Sequence, residues 1–488
     1  MPYQHGVRVL EQATSIVAPI LGTAGLQVVF GTAPINLADD PYKVTNTPLI
    51  AYSWAEAVKQ LGYSADYKNY TLCEAMYASF QLIGVAPVIF INVLDPKKHK
   101  KKNEAATVPV EEMEAVVPIT GILKDTVTVK MKGADEESED TPLGFETDYL
   151  LSFDDDGNLL VTLIAGGAGA AAKALVVEST SIDPTAVKPS DIIGASATGG
   201  AKGFEVLQQI YPKFGMTPGL LLAPGWSHIP DVGIVLAAKC EEINGYFTCE
   251  CLIDIDSTAD GCTAYSDIKV AKEAAGCVSA HAMALWPCIA VGSHWFWYSA
   301  IMGALIAKVD AENDDVPNLS PSNKLIGATG TVLATGEEVL LDQVQGNAVN
   351  SFGVTTAINV NGWRTWGNNS AVYPASTDPK DRWFCCRRFF SWWGNSFILT
   401  YFQKVDNPMN PRLIETIVDS ENIRGASYVS QGKCARAEIV YNADENPVTD
   451  LLNGKITFHQ YLTPYPPAED ILNILEFDPN ALSDALGG

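Results

Sequence analysis

Apolar residues change their spacing several times along the chain, and each change predicts an element. In "GLQVVFGTAP" (25–34) an apolar run closes on a turn signature, which predicts a strand. "SWAEAVKQLG" (53–62) shifts to helical spacing, with Ser53 placed to cap, Glu56 at the capping-box position and Gly62 to stop it. "CEAMYASFQLIG" (73–84) predicts a second helix, and "PVIFINVL" (87–94) a fully buried strand. This β-α-α-β opening predicts a layered α/β domain. Ahead of it, residues 7–20 look extended and have little to bury against locally.

Beyond residue 103 the spacing becomes strictly alternating. "TVTVKMKG" reads as a strand, and "DYLLSFDDDGNLLVTLI" as a hairpin turning at "DDGN". A small β domain is expected, ending near "STSIDPTAVKPSDIIG". From about residue 195 helices and strands alternate again. A helix "GFEVLQQIYPKFG" precedes a strand "TPGLLLAPG" (217–225) and a helix "DVGIVLAAKCEEING" (231–245). A strand "TCECLIDID" (248–256) and a helix "SDIKVAKEAAGC" (266–277) follow. That rhythm predicts a mainly parallel sheet with right-handed crossovers.

The stretch 366–393, "WGNNSAVYPASTDPKDRWFCCRRFFSWW", packs four tryptophans and three arginines into 28 residues. Asp378, Pro379 and Asp381 supply an N-cap, an N1 proline and a first-turn acid, which together predict a helix start. At helical spacing Trp383, Cys386, Phe389, Phe390, Trp392, Trp393, Phe397 and Tyr401 share one broad face. Lys380, Arg387, Ser391 and Asn395 form the narrow other side, with Arg388 at its edge. Such a helix is buried on more than one side. A second helix is expected with Asn410 capping, Pro411 opening and Gly425 stopping it.

Composition sharpens this outline. A chain of 488 residues is expected to hold roughly two to four domains, and 47% hydrophobic with 18% charged residues describes a folded protein. The net charge of −25 argues against a general nucleic-acid binder. That charge is uneven: "KKHKKK" (97–102) is followed by a segment, 103–160, with 15 acidic and three basic side chains. The basic run reads as a solvated linker, with a functional patch as the alternative. The apolar tract 282–309 is interrupted by Pro287, Ser293 and His294, so buried core is expected and no membrane insertion. The first residues show no signal peptide, and ten cysteines are expected as reduced thiols in a chain made in the cytoplasm.

Candidate chemistry is sparse. Asp254 and Asp256 end an apolar strand, where α/β enzymes keep acids, but loop-capping carboxylates fit as well. Cys249 and Cys251 point the same way without a matching CxxC, so a packed thiol pair is expected rather than zinc. His281 and His294 read as core histidines. "GGAGAAAKA" (166–174) fits no nucleotide loop, and "GWSHI" (225–229) fails the nucleophile elbow. No catalytic, cofactor-binding or metal set is expected.

One resemblance spans the chain in order, from Gly22 to the tail. "FGTAP" after an N-terminal arm, "LLAPG" before a helix, "INVNGWRTWGN" then "RRFFSW", and "GKITFHQYLTPYPPAEDI" resemble a contractile phage tail sheath protein. Phage-tail-like bacteriocins and contractile injection particles carry similar sheaths. The resemblance implies a multi-domain α/β (α+β) protein that is no enzyme. Its parts would be a linking arm (1–22), an N-terminal α/β part of the sheath core (23–102) and an inserted acidic β-sandwich (103–194). A subtilisin-like α/β domain (195–359), a C-terminal sheath domain (360–467) and a C-terminal linking arm (468–488) would complete it. "DIDSTADG" and "SAHAMALWP" only faintly echo peptidase motifs, so the fold alone is implied.

By the same resemblance the chain polymerises with itself as stacked hexameric rings around a tail tube protein, and meets baseplate and tail terminator proteins. Contraction would drive the tube through a target envelope without nucleotide hydrolysis, in a virion tail assembled in the host bacterial cytoplasm. Gly6, Val7, Arg8, Val9 and Leu10, and Ile471, Leu472, Asn473, Ile474 and Leu475, would be the inter-subunit strands. Arg387 and Arg388 are candidates to face the tube, although arginines within an aromatic cluster usually find an intrachain partner. The acidic insert is expected on the particle's outside. The competing reading is an intracellular α/β hydrolase with a site near Asp254, Asp256 and His281.

Overall fold

The structure, a computed structural model, describes residues 23–133, 139–197 and 200–487. Strand β1 (Gln27–Gly31) is wholly buried and opens the sheet. β2 (Pro48–Ala51) leads into helix α1 (Trp54–Leu61), where the Ser53 hydroxyl accepts from the Glu56 amide and Gly62 ends the helix at φ +72°. The Glu56 carboxylate reaches back to the Tyr52 amide, one residue earlier than a regular capping box. Helix α2 (Thr71–Met76) continues as a π-helical stretch, Tyr77–Ile83, and β3 (Val88–Asn92) returns through the core.

The chain then leaves the sheet through a neck. Strand β4 (Lys100–Lys102) lies within the basic run and later pairs antiparallel with the returning strand, so this run is half of a two-stranded ribbon rather than a free linker. Beyond it are β5 (Ala106–Pro109), β6 (Glu114–Thr120), β7 (Thr128–Met131), β8 (Tyr149–Phe153), β9 (Asn158–Leu163) and β10 (Ala174–Glu178). They form two antiparallel sheets, β6-β9-β8 and β5-β10-β7. The sheets share a separate core that includes Val117, Val161, Tyr149, Val108, Leu175 and Val129. Alternation of buried and half-buried positions along β9 is what turns this sequence into a sheet with one face on its core and the other partly open. Asp154 closes the β8–β9 turn by accepting from the Asn158 amide, with Gly157 at φ +81°. Strand β11 (Thr180–Ile182) completes the neck.

The returning chain re-enters the first sheet. β12 (Leu220–Leu222), helix α3 (Pro230–Ala238), β13 (Glu250–Asp254), helix α4 (Ile268–Ala274) and β14 (Ala282–Leu285) alternate as their spacing predicts. Helix α5 (Tyr298–Ala311), helix α6 (Gln343–Asn350), β15 (Val354–Asn359) and β16 (Trp363–Trp366) complete the layer. The strand order is β2-β3-β1-β12-β13-β14-β15-β16, parallel throughout except at the two edges. β1 lies between β3 and β12, so segments 23–102 and 195–366 build one sheet and one core. Among the described residues no helix is long and apolar enough to cross a membrane. All ten cysteines are free and buried.

The last unit differs from its sequence reading in two places. Pro379–Arg382 makes a single turn, and the chain breaks at Trp383 (ψ 113°) before helix α7 (Phe384–Tyr401) begins. Helix α8 (Pro411–Ser430) runs straight through Gly425. There glycine serves proximity and not termination: a Cβ would stand 2.0 Å from the Ala437 carbonyl oxygen of β17 (Cys434–Val440). β17 pairs antiparallel with β18 (His459–Pro464).

Candidate assembly surfaces and the polar centre of the sheet

Two places gather polar side chains. The first is the carboxyl end of β13, where α/β proteins place ligands. The Asp254 carboxylate is buried and accepts from the Ser299 amide (2.8 Å), the Ser299 hydroxyl (2.5 Å) and the Ser227 hydroxyl (3.0 Å). Burial pushes its pKa up to about 6, against the pull of those donors. Glu74 from α2 accepts from the Trp297 amide at 2.9 Å, and burial raises its carboxyl well above the usual range. Both acids therefore sit at the N-terminus of α5, whose exposed amides and dipole favour them. The His228 ring stacks on Trp297 with centroids 4.4 Å apart, and burial lowers its pKa. His281 lies at the other end of β13, its Nδ1 3.1 Å from the Cys249 carbonyl and 3.4 Å from Glu250. Asp256 accepts from the Thr258 amide in a turn. The strand holds His281 and Asp254 roughly 13 Å apart, so the three residues of the hydrolase reading do not converge.

The second place is the face of α7 turned toward the sheet. Arg388, Ser391 and Asn395 are all buried there, one turn apart. The Arg388 guanidinium makes a two-pronged contact with Asp310 of α5 and donates to the Ala24 carbonyl at 3.0 Å. Ser391 donates to Glu250 at 2.6 Å, and Asn395 accepts from and donates to the Thr248 backbone. This strip glues α7 to the core sheet instead of facing solvent. Arg387 pairs with Asp381 at 3.3 Å and is itself mostly covered. Beside the strip Phe389, Trp392 and Trp393 form a small third core with Ala24, Val316, Cys434 and Ala437. Arg424 of α8 lies 3.9 Å from the centre of the Trp393 ring and 3.2 Å from Glu421.

Past β18 the chain turns outward. Ile471, Leu472, Ile474 and Leu475 are 79–88% exposed. No regular element forms between Tyr465 and Asp478. An apolar groove of about 510 Å³ opens beside the hairpin, lined by Phe390, Trp393, Phe397, Ile439, Phe458 and Leu462. Gly6 to Leu10 lie outside the described residues.

No protein-family model matches the chain. It is 26% identical over 512 aligned residues to the tail sheath protein of Burkholderia phage BcepMu, covering 100% of this chain and 99% of that one. The tail sheath protein of Escherichia phage P2 is 24% identical over 291 residues, 58% of this chain and 69% of its own. The chain is similar along its whole length to a phage tail sheath protein. Solved sheaths share its fold: the PVC sheath of an extracellular contractile injection system, contracted, gives a TM-score of 0.58 at 13% identity, over 99% of this chain and 100% of that one. The contracted helical sheath of the anti-feeding prophage gives 0.57 at 15% identity, over 98% and 100%.

The curated relatives are named as tail sheath proteins, a structural role. Against that background the burial of α7 makes sense as architecture. Sequence reading picks out its arginines but misses their anchors, Asp310 above all. The signal is present: a lone acid inside the apolar helix "AIMGALIAKVDA" must find a cation when buried. Ser227, Ser299 and Glu74 give no comparable sign, because serine is at home anywhere and Glu74 sits in an ordinary helical stretch.

Proposed function

We propose that the protein is a contractile tail sheath subunit that polymerises as stacked hexameric rings around an inner tube and contracts to drive the tube through a target envelope. The observation that carries this reading is the C-terminal segment. Four large aliphatic side chains in five residues bury almost nothing in their own subunit. Each is worth about 1.5–3 kcal/mol if covered. The hairpin β17–β18 has two strands only; α8 covers the outer edge of β17, where Asn422 bonds the Ile439 backbone, and no described strand pairs with the outer edge of β18, which leaves it to strands from other copies. In this reading Ile471–Leu475 and Gly6–Leu10 supply those strands, and the groove beside Phe458 takes their side chains.

The finer divisions belong to the same proposal. The mainly parallel sheet supports a subtilisin-like core, the two packed sheets of 103–194 a β-sandwich insert on the outside, and α7, α8 and the hairpin a C-terminal sheath domain. Tube, baseplate and terminator proteins are the partners, in a virion or phage-tail-like particle assembled in the host cytoplasm. Contraction draws on the closer packing that subunits reach when they leave a kinetic trap. The test is negative-stain microscopy of the purified chain, alone and with a tube protein. Hollow tubes with a helical repeat are expected. Compact oligomers under both conditions would sink the reading.

A further inference from the structure

The neck carries charge that nothing in the subunit answers. Lys98 pairs with Asp191, but Lys97, Lys100, Lys101 and Lys102 are exposed and form no ion pair with a described residue. Glu178 of β10 is already held below its usual pKa by Lys130, with Lys102 a minor contributor. Strand β4 pairs with β11 on one side only. In a chain of net charge −25 this is an isolated positive ribbon.

The opposite charge lies at the far end of the insert. Register places it: β5 leaves the neck at Asn103 and reaches its turn at residues 110–113, roughly 20 Å away at strand rise. Glu111, Glu112, Glu114 and Glu146 are exposed there. The Leu163 amide bonds to Met113 and the Tyr149 carbonyl accepts from Glu146, which ties both turns to one tip. Glu112 and Met113 have φ of +50° and +69°, a tight turn that projects the acids outward. Lys173 is the exposed cation beside them. A rigid sandwich therefore holds the acids well away from their own neck.

We propose that the acidic tip of one copy docks on the lysine ribbon of the next. Tip and ribbon are different patches, so the contact is heterologous and propagates from copy to copy, around a ring or along a helix, both of which stacked rings use. It rests on the self-assembly reading above and adds an outer contact independent of the terminal strands. Lysines on an edge strand also keep foreign strands away; that role has no acidic partner to restore, which separates the two.

Full-length variants test it. K100E/K101E/K102E and E111K/E112K/E114K should each raise the concentration needed for polymerisation at least tenfold, with unchanged thermal melting. Combining all six should restore it. Salt alone does not discriminate, because it also screens the repulsion between acidic copies. Carbodiimide treatment of mixed ¹⁴N and ¹⁵N chains should join peptides containing 97–102 and 110–116 across isotopes. Tubes that form with neither cross-isotope links nor any response to reversal would overturn the contact while the sheath reading survives. Cross-isotope links and charge-swap rescue without tubes would keep the contact and remove the sheath reading. Absence of both would end both.

Discussion

Replacing Arg388 by methionine isolates the seam between α7 and the core. Methionine keeps the length of the stem, so the cavity contribution is small and the loss is electrostatic. Arg388 and Asp310 have side chains 1% exposed, and the guanidinium also holds the Ala24 carbonyl. Removing one member of a buried pair costs about 3–5 kcal/mol, because the remaining charge stays desolvated. The deficit depends on pH. Burial already raises the Asp310 carboxyl, and the charge of Arg388 opposes that rise. In R388M the folded-state pKa moves further above the unfolded value of about 4. Protonation then favours the folded form, so the deficit is full at pH 8 and shrinks as pH falls toward 5. Urea titration of dilute protein, followed by tryptophan fluorescence, reads it directly, since Trp392 and Trp393 follow on the same helix. R388M with D310L should recover most of the loss. A deficit below about 1 kcal/mol, or one equal at pH 5 and pH 8, would refute the reasoning.

Other perturbations separate fold from assembly. Deleting residues 468–488 should leave the melting temperature of the monomer unchanged and abolish tubes in the microscope. D254N should bring no change in labelling by active-site probes. It should also flatten a stability term on the order of 2–3 kcal/mol, which is present below pH 4 and lost as pH rises through about 6; denaturation at pH 4 and 7.5 checks the sign. G425A should melt the C-terminal unit early, by at least about 2 kcal/mol, because the carbonyl of Ala437 cannot yield; hydrogen exchange in α8 and β17 reports it.

Much of the layout is legible because it depends on local spacing. The strand at 88–92, the Ser53 cap and the hairpin at Asp154–Asn158 follow from neighbours within a few residues. What escapes depends on distant partners. Gly425 looks like a helix stop until β17 is laid against it, and the polar strip of α7 calls for partners that stay unnamed until Asp310, Glu250 and Thr248 are brought beneath it. The lysine run looks like a linker because its partner strand comes 78 residues later.

That ribbon has a practical consequence. Lys102 and Thr180 face each other across an antiparallel pair, so their backbones are about 5 Å apart. A domain whose own ends lie that close can be spliced there with no gap to bridge and with the eight strands of the main layer kept, provided the segment around Leu123, which packs into the main core, is retained or replaced in kind. The insert is a cassette joined to the molecule at one point, and a polymer in which grafted chains are mixed with native ones would display foreign cargo along its length while the native copies keep the tip-to-ribbon contact.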